Sequence, residues 1–260
     1  MGTEGGSVPE LKQYLIVCLF VFLAGLIDSV AGGGGLLSLP AYLAVGLPAH
    51  MALGTNKFSS TFGTALSSVR YFIHRKADVG TASLSIIFAL GGSALGARTA
   101  LVVDPVYLQY ALLAVIPIVA AFVLWKREFG AENRTAELAP RKAKLFAVMI
   151  GLLIGFYDGF FGPGTGTFLV FLYTGLLRCD LVTASGNAKL VNLASNLAAL
   201  VTFLAHGEVH FGLGIPAMLC GLAGNFAGSG LALKRGAGII RPMFVVALAL
   251  LGIYLVRELF

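Results

Sequence analysis

The chain has 260 residues, of which 58% are hydrophobic and 12% charged, and its mean hydropathy is +0.90. A soluble domain carries about a quarter charged residues, so this composition excludes a disordered chain, a nucleic-acid-binding tail and an ordinary cytosolic enzyme, and makes the bilayer the solvent for most of it. At about 20 residues per span the length accommodates roughly eight to ten transmembrane helices and no second soluble domain, and the net charge of +6 becomes a question of which loops carry it.

In chain order, residues 11–30 form the first apolar segment. It ends Ser29-Val30-Ala31, which is similar to a signal-peptide cleavage site, but Lys12 ahead of it is flanked by Glu4 and Glu10. Its surroundings also recur later, so the segment is retained as a helix. The run Gly32-Gly33-Gly34-Gly35 follows, then a short apolar stretch over 36–47. A polar-studded helix opens with Gly54-Thr55-Asn56-Lys57, and apolar helices are predicted over 84–100 and 106–125. Trp125 closes the second of these, at an interface that favours an amphipathic ring. Residues 126–144 are the one long hydrophilic stretch.

The second part of the chain answers the first. In both, a glycine stands three residues before an aspartate (Gly25 and Asp28, Gly155 and Asp158), and a Gly-rich run begins four residues after it. The second run is Gly162-Pro163-Gly164-Thr165-Gly166. A short apolar stretch over 168–177, the box Gly186-Asn187-Ala188-Lys189 and apolar helices over 211–233 and 243–256 complete the correspondence. Five hydrophobic segments per half turn the second half upside down. With 126–144 cytoplasmic, Arg70, Arg75, Lys76, Lys126, Arg127, Arg134, Arg141, Lys142, Lys144, Arg178, Lys234, Arg235 and Arg241 gather inside. Lys12, Arg98 and Arg257 remain outside. The positive-inside rule therefore favours an inverted repeat with both termini outside.

Lys57 and Lys189 occupy matching places in otherwise apolar helices. A charge there costs at least about 2.5 kcal/mol, so it faces a cavity or a partner. One reading is a pair of cations attracting an anion. Others are pairing with Asp28 or Asp158 to hold helices together, and snorkelling to the headgroups. The two Gly runs break helices at membrane depth, which is tolerated where backbone is buried in protein or lines a watery space. N–H groups and a positive dipole end would then face that space, as at transporter sites built from broken helices; tight helix packing is the alternative. A site shared by both runs requires the short segments to stop partway through the membrane. Thr55, Asn56, Ser59 and Ser60 in one half, and Asn187, Asn192, Ser195 and Asn196 in the other, are polar groups able to replace the hydration shell of a small oxyanion. Asn192 and Asn196, four apart, share a face. Asp28 and Asp158 are candidates for carrying a coupling proton, or for capping and pairing.

Soluble-enzyme chemistry finds no support. Gly162–Thr167 lacks the Lys-Ser/Thr ending of a phosphate loop, and Gly228-Ser229-Gly230 has no evident histidine partner. Cys18, Cys179 and Cys220 are scattered, and His50, His74, His206 and His210 sit at helix ends without cysteine partners, so neither a metal site nor a cofactor is expected.

The segments G-L-I-D-S-V-A-G-G-G-G-L-L-S-L-P, G-L-P-A-H-M-A-L-G-T-N-K and G-F-Y-D-G-F-F-G-P-G-T-G-T-F resemble the TauE/SafE sulfite exporter family, or TSUP transporters, over about residues 15–255. The resemblance implies a bacterial cytoplasmic-membrane permease for sulfite, sulfonates or related organosulfur anions. The family's Gly-rich boxes fall on 32–35 and 162–166, and its Thr-Asn-Lys box on Thr55, Asn56 and Lys57; Ala188 stands where a threonine is expected. The expected fold is an all-α polytopic membrane protein of two inverted repeats: residues 1–125, a cytoplasmic linker over 126–144, and residues 145–260. The expected substrate site comprises Gly33, Gly34, Gly35, Thr55, Asn56, Lys57, Gly164, Thr165, Gly166, Asn187, Lys189 and Asn192, near the midplane, with the halves rocking or sliding to alternate access. An inside-negative potential assists anion efflux by about 2.3 kcal/mol per charge per 100 mV. The expected partners are the bilayer and a small organosulfur anion, with no nucleic acid and no inference about oligomeric state. An anion channel, an intramembrane enzyme and a receptor are the alternatives.

Overall fold

The computed structural model describes residues 10–74, 76–111, 114 and 132–235. Among these the protein is all-helical: α1 (Leu11–Ala31), α2 (Gly35–Ala44), α3 (Ala49–Ile73), α4 (Val79–Val102), a 3-10 turn (Thr135–Glu137), α5 (Pro140–Phe160), α6 (Thr165–Gly175), α7 (Leu181–Ala205) and α8 (Phe211–Arg235). Residues 105–111 are also helical. The expected 243–256 helix, most of the 106–125 helix with Trp125, both termini, and Arg75, Lys126, Arg127, Arg241 and Arg257 lie outside the described residues.

Helices α1, α4, α5, α7 and α8 are long and apolar enough to cross a bilayer, which makes this a multi-pass membrane protein. Their outer faces expose Leu15, Leu19, Ile87, Leu95, Leu153, Val201 and Leu219, the side chains a lipid solvent accepts. Helix α3 is as long, at 25 residues, but its polar residues set it apart. Polar caps begin several helices. The Gln13 side chain accepts from Glu10 N–H (2.9 Å). Asp78 accepts from Gly80 N–H (3.0 Å), and Asp180 from the N–H groups of Val182 and Thr183 (both 3.0 Å).

The short helices are half-length. At 10 and 11 residues, α2 and α6 reach about 15 Å along their axes, half a hydrocarbon core. Each folds back toward the end from which its predecessor started. Gln13 Nε2, at the start of α1, donates to Val45 O at the end of α2 (3.0 Å). Arg134 N–H, ahead of α5, donates to Arg178 O after α6 (2.8 Å). The sequence left open whether 36–47 and 168–177 span; at 10 and 11 residues, α2 and α6 fall short of a full hydrocarbon core.

Two clusters of connections mark the ends of the bundle. At one, Arg178 pairs with Glu137 (3.1 Å), and Asp78 N–H donates to Asn187 Oδ1 (2.7 Å). At the other, His50 Nε2 lies 3.0 Å from both Ala100 O and Val103 O, and His210 N–H donates to Thr55 Oγ1 (2.9 Å). Lys76, Arg134 and Arg178 thus share one end.

The strongest packing joins helices from opposite sequence halves. On α8, a Cβ at Gly224 would stand 2.1 Å from Phe22 O of α1, and one at Gly228 2.1 Å from Leu26 O. Because both contacts advance by four residues, α1 and α8 run parallel. Likewise, a Cβ at Gly96 of α4 would stand 2.1 Å from Phe156 O of α5, and one at Gly159 of α5 2.1 Å from Ser93 O of α4. Only glycine permits these approaches, and dispersion at such close range holds membrane helices together. Helix α3 joins the first pair through Ser67 Oγ to Asn225 Oδ1 (2.6 Å) and Tyr71 OH to Ser29 O (3.1 Å). Helix α7 joins the second through Ser93 Oγ to Ser195 O (2.6 Å). Helices α3 and α7 then cross at the centre, antiparallel, since Lys57 meets Asn196 while Ser68 meets Lys189 O.

Gly159→Ala is expected to lower unfolding stability by about 1–3 kcal/mol through overpacking. Gly91→Ala, whose added Cβ meets nothing within 4 Å, leaves stability unchanged or slightly raised. Thermal unfolding in detergent compares them. At Asp180 partial burial raises the carboxyl pKa, but bonds from the Thr183 hydroxyl and the N–H groups outweigh it, and the net shift is downward. Its capping contribution is therefore fully present above the unfolded value of about 3.9 and fades as pH falls through the lower folded value. Asp180→Ala is expected to cost about 1 kcal/mol at neutral pH, and the difference from wild type should shrink in acid.

Candidate functional site

The two Gly runs meet in the middle of the bundle. A Cβ on Gly32 would lie 2.3 Å from the carbonyl carbon of Gly166, and one on Gly166 2.6 Å from Gly32 Cα. Gly32, Gly33, Gly162 and Gly164 hold φ of 75°, 91°, 88° and 80°, left-handed values that let the chain reverse within a few residues. The reversal fixes the aspartates. Gly32 N–H closes α1 on Asp28 O (2.8 Å), and Gly34 N–H reaches Asp28 Oδ1 (3.3 Å).

Two ion pairs cross the α3/α7 seam. Lys57 Nζ of α3 lies 2.7 Å from Asp158 Oδ2 of α5, and Lys189 Nζ of α7 lies 2.7 Å from Asp28 Oδ2 of α1. Each lysine is thus held by an aspartate from the other half. The pairs differ in exposure: Lys57, Asp158 and Lys189 are 2% exposed, Asp28 16%. Around Lys57, Asn196 Oδ1 accepts at 2.9 Å, and Ser195 Oγ donates to Asp158 Oδ2 at 2.6 Å. Asn196 also donates to Asn192 Oδ1 (2.7 Å), and Ser38 Oγ donates to Asn56 Oδ1 (2.6 Å).

These groups surround a cavity with about 40 Å³ available to the centres of water-sized molecules. At roughly 10–15 Å³ for each centre, that suits about three small groups, or one compact oxyanion. Of the expected site residues, Gly33, Gly34, Gly35, Asn56, Lys57, Thr165, Gly166 and Asn192 line it, together with Asp28 and Asp158. Lys189 stands behind Asp28 rather than on the wall. Gly164 shapes the turn into α6. Thr55 and Asn187 lie elsewhere, accepting from the backbone N–H groups of His210 and Asp78. The expected ring of open backbone donors is partly spent: Leu36 and Leu37 N–H turn back to Gly33 O (3.0 Å) and Gly34 O (2.9 Å).

Sequence reading left Ser38, Thr64 and Asn225 out of the site. All three line the cavity. Asn225 was detectable as an amide in the middle of an apolar segment, a residue type that is expensive at membrane depth. Among the described residues no cluster of His, Cys, Asp and Glu has the makings of a metal site.

The profile of the sulfite exporter TauE/SafE family matches residues 17–255. The chain belongs to the sulfite exporter TauE/SafE family. It is 36% identical over 235 residues to a probable membrane transporter protein of Haemophilus influenzae, covering 89% of this chain and 91% of that one. It is also 36% identical to the probable membrane transporter protein YfcA of Escherichia coli K12, covering 97% and 93%. A shorter match, 30% identical over 77 residues, links 29% of the chain to 16% of the sulfite exporter TauE/SafE family protein 3 of Arabidopsis thaliana. No solved structure matches the chain. The TauE/SafE names are those of transporters rather than enzymes.

In this TauE/SafE protein, Lys57→Met alone is expected to destabilise by about 3–5 kcal/mol, because it strands Asp158 as a buried anion. The double change Lys57→Met with Asp158→Leu should recover most of that loss. Unfolding of the two variants in detergent reads the difference.

Proposed function

We propose that the protein exports a small sulfur-containing oxyanion, sulfite or a short sulfonate, across a bacterial cytoplasmic membrane by alternating access. The observation that carries this reading is the cavity where both helix breaks and both ion pairs converge. An oxyanion offers a lysine the same charge-assisted hydrogen bonds as a carboxylate. It can therefore take over an ammonium from an aspartate, which loosens a link across the seam. Asn56, Asn192 and Asn196 supply amide groups around the anion.

The packing favours particular moving units. One comprises α1, α2, α3 and α8, the other α4, α5, α6 and α7, so each combines helices from both sequence halves. The two units meet along α3 and α7 and at the Gly32–Gly166 contact, where small residues allow sliding. As an inverted pair, the units open the cavity to one side and then the other. The positive-inside rule puts the end bearing Lys76, Arg134 and Arg178 in the cytoplasm and both termini outside.

Counterflow in proteoliposomes tests the transport step and separates a carrier from a channel or a receptor. Labelled sulfite or methanesulfonate is expected to accumulate transiently against unlabelled anion inside. The Lys57→Ala, Lys189→Ala double variant should abolish this; unchanged uptake removes the proposed site. A cysteine placed by Gly207→Cys should react with impermeant maleimide from outside intact cells. Protection there until the membrane is permeabilised would reverse the orientation.

A further inference from the structure

The four buried charges of the transport site sum to zero, with Lys57 and Lys189 set against Asp28 and Asp158. This bears on the transport reading and rests on it. An anion that enters such a site alone leaves a net negative charge at membrane depth, which desolvation strongly disfavours. For a monovalent anion such as a sulfonate or hydrogen sulfite, a neutral loaded state needs one proton, and the two carboxylates are not equally suited to take it.

Asp158 is enclosed. Besides Lys57 at 2.7 Å, it accepts the Ser195 hydroxyl at 2.6 Å. It is only 2% exposed. Asp28 lines the cavity and is 16% exposed. Its partners are the Lys189 ammonium at 2.7 Å and the Gly34 N–H at a long 3.3 Å. An ammonium beside a backbone N–H at the head of a short helix is a donor set made for an oxyanion. Asp28 therefore fills the place that a substrate oxygen would take.

We infer that Asp28 is the proton carrier of the transport cycle. A proton from the aqueous side binds its carboxylate, Lys189 and Gly34 N–H are released, and the anion takes both. When the anion leaves on the other side, the proton leaves Asp28 and the Lys189 pair re-forms. One proton accompanies each anion in the same direction. The loaded carrier is neutral, so its movement follows the anion and pH gradients together, and the membrane potential expected from the sequence to assist efflux does not act on it. The titratable groups around Asp28 are Lys189 from α7, Lys57 and Tyr71 from α3, and Asp158 from α5; on α1 the nearest is Cys18. The cavity wall from α2, α6 and α8 adds Gly35, Ser38, Thr165, Gly166, Gly221 and Asn225, none of which titrates in this range.

The test reads protons moved per anion in proteoliposomes holding a trapped pH dye, with labelled methanesulfonate and labelled sulfite as probes. Asp28→Asn is expected to slow anion exchange and to move one proton fewer per transported anion than wild type. Asp28→Glu, which keeps a carboxyl at that position, is expected to restore the wild-type proton count. An Asp28→Asn protein that moves as many protons as wild type overturns the inference. If that variant does not fold, wild type decides: methanesulfonate accumulating along an imposed pH gradient with the potential clamped supports it, and accumulation driven by potential alone overturns it. Absence of counterflow of both anions in wild type instead removes the transport reading itself.

Discussion

Two lysines buried in apolar helices, each neutralised by an aspartate from the opposite half, hold the centre of this molecule. An unpaired charge at that depth costs at least about 2.5 kcal/mol, and stranding one member of a buried pair costs about 3–5 kcal/mol. Docking of the two units is therefore tied to the 2.7 Å contacts of Lys57 with Asp158 and of Lys189 with Asp28. The glycine breaks serve the same end. By turning the chain back beside the aspartates and touching at Gly32 and Gly166, they leave room for both pairs and a small cavity within one seam. A side chain at either glycine would push that seam apart.

The same interaction connects stability with transport. Strong links suited to permanent docking would not exchange with a ligand. A carboxylate can be replaced, because a sulfur oxyanion makes equivalent bonds to the ammonium. The glycine-lined contacts between α1 and α8 and between α4 and α5 have no such substitute, since their strength lies in backbone approach. In the proposed cycle, rigid units and a labile seam thus come from two kinds of contact, dispersion in one and exchangeable charge in the other.

Much of this was legible in the sequence. The composition required a membrane protein, the paired Gly runs marked the breaks, and Lys57, Lys189, Asp28 and Asp158 stood out as ionisable residues among apolar ones. The side of a helix on which a residue falls was less well read. Thr55 and Asn187 stand two positions before their lysines, and residues two apart do not share a helical face, so they point to the loops around His210 and Asp78 instead. Asn192 and Asn196, at helical spacing, reached the cavity. The partnering of α1 with α8 and of α4 with α5 was hidden. It depends on matching stripes of small residues in segments distant along the chain, and Gly25, Gly96, Gly159 and Gly224 look alike until their partners are known.

The most direct measurement is a structure of the protein determined with sulfite or methanesulfonate bound. An oxyanion bridging Lys189 Nζ and the Gly34 N–H, with the Asp28 carboxyl withdrawn from its present 2.7 Å contact, is the expected result. An anion bound elsewhere, while both lysine–aspartate pairs remain closed, would contradict the exchange of a buried carboxylate for substrate.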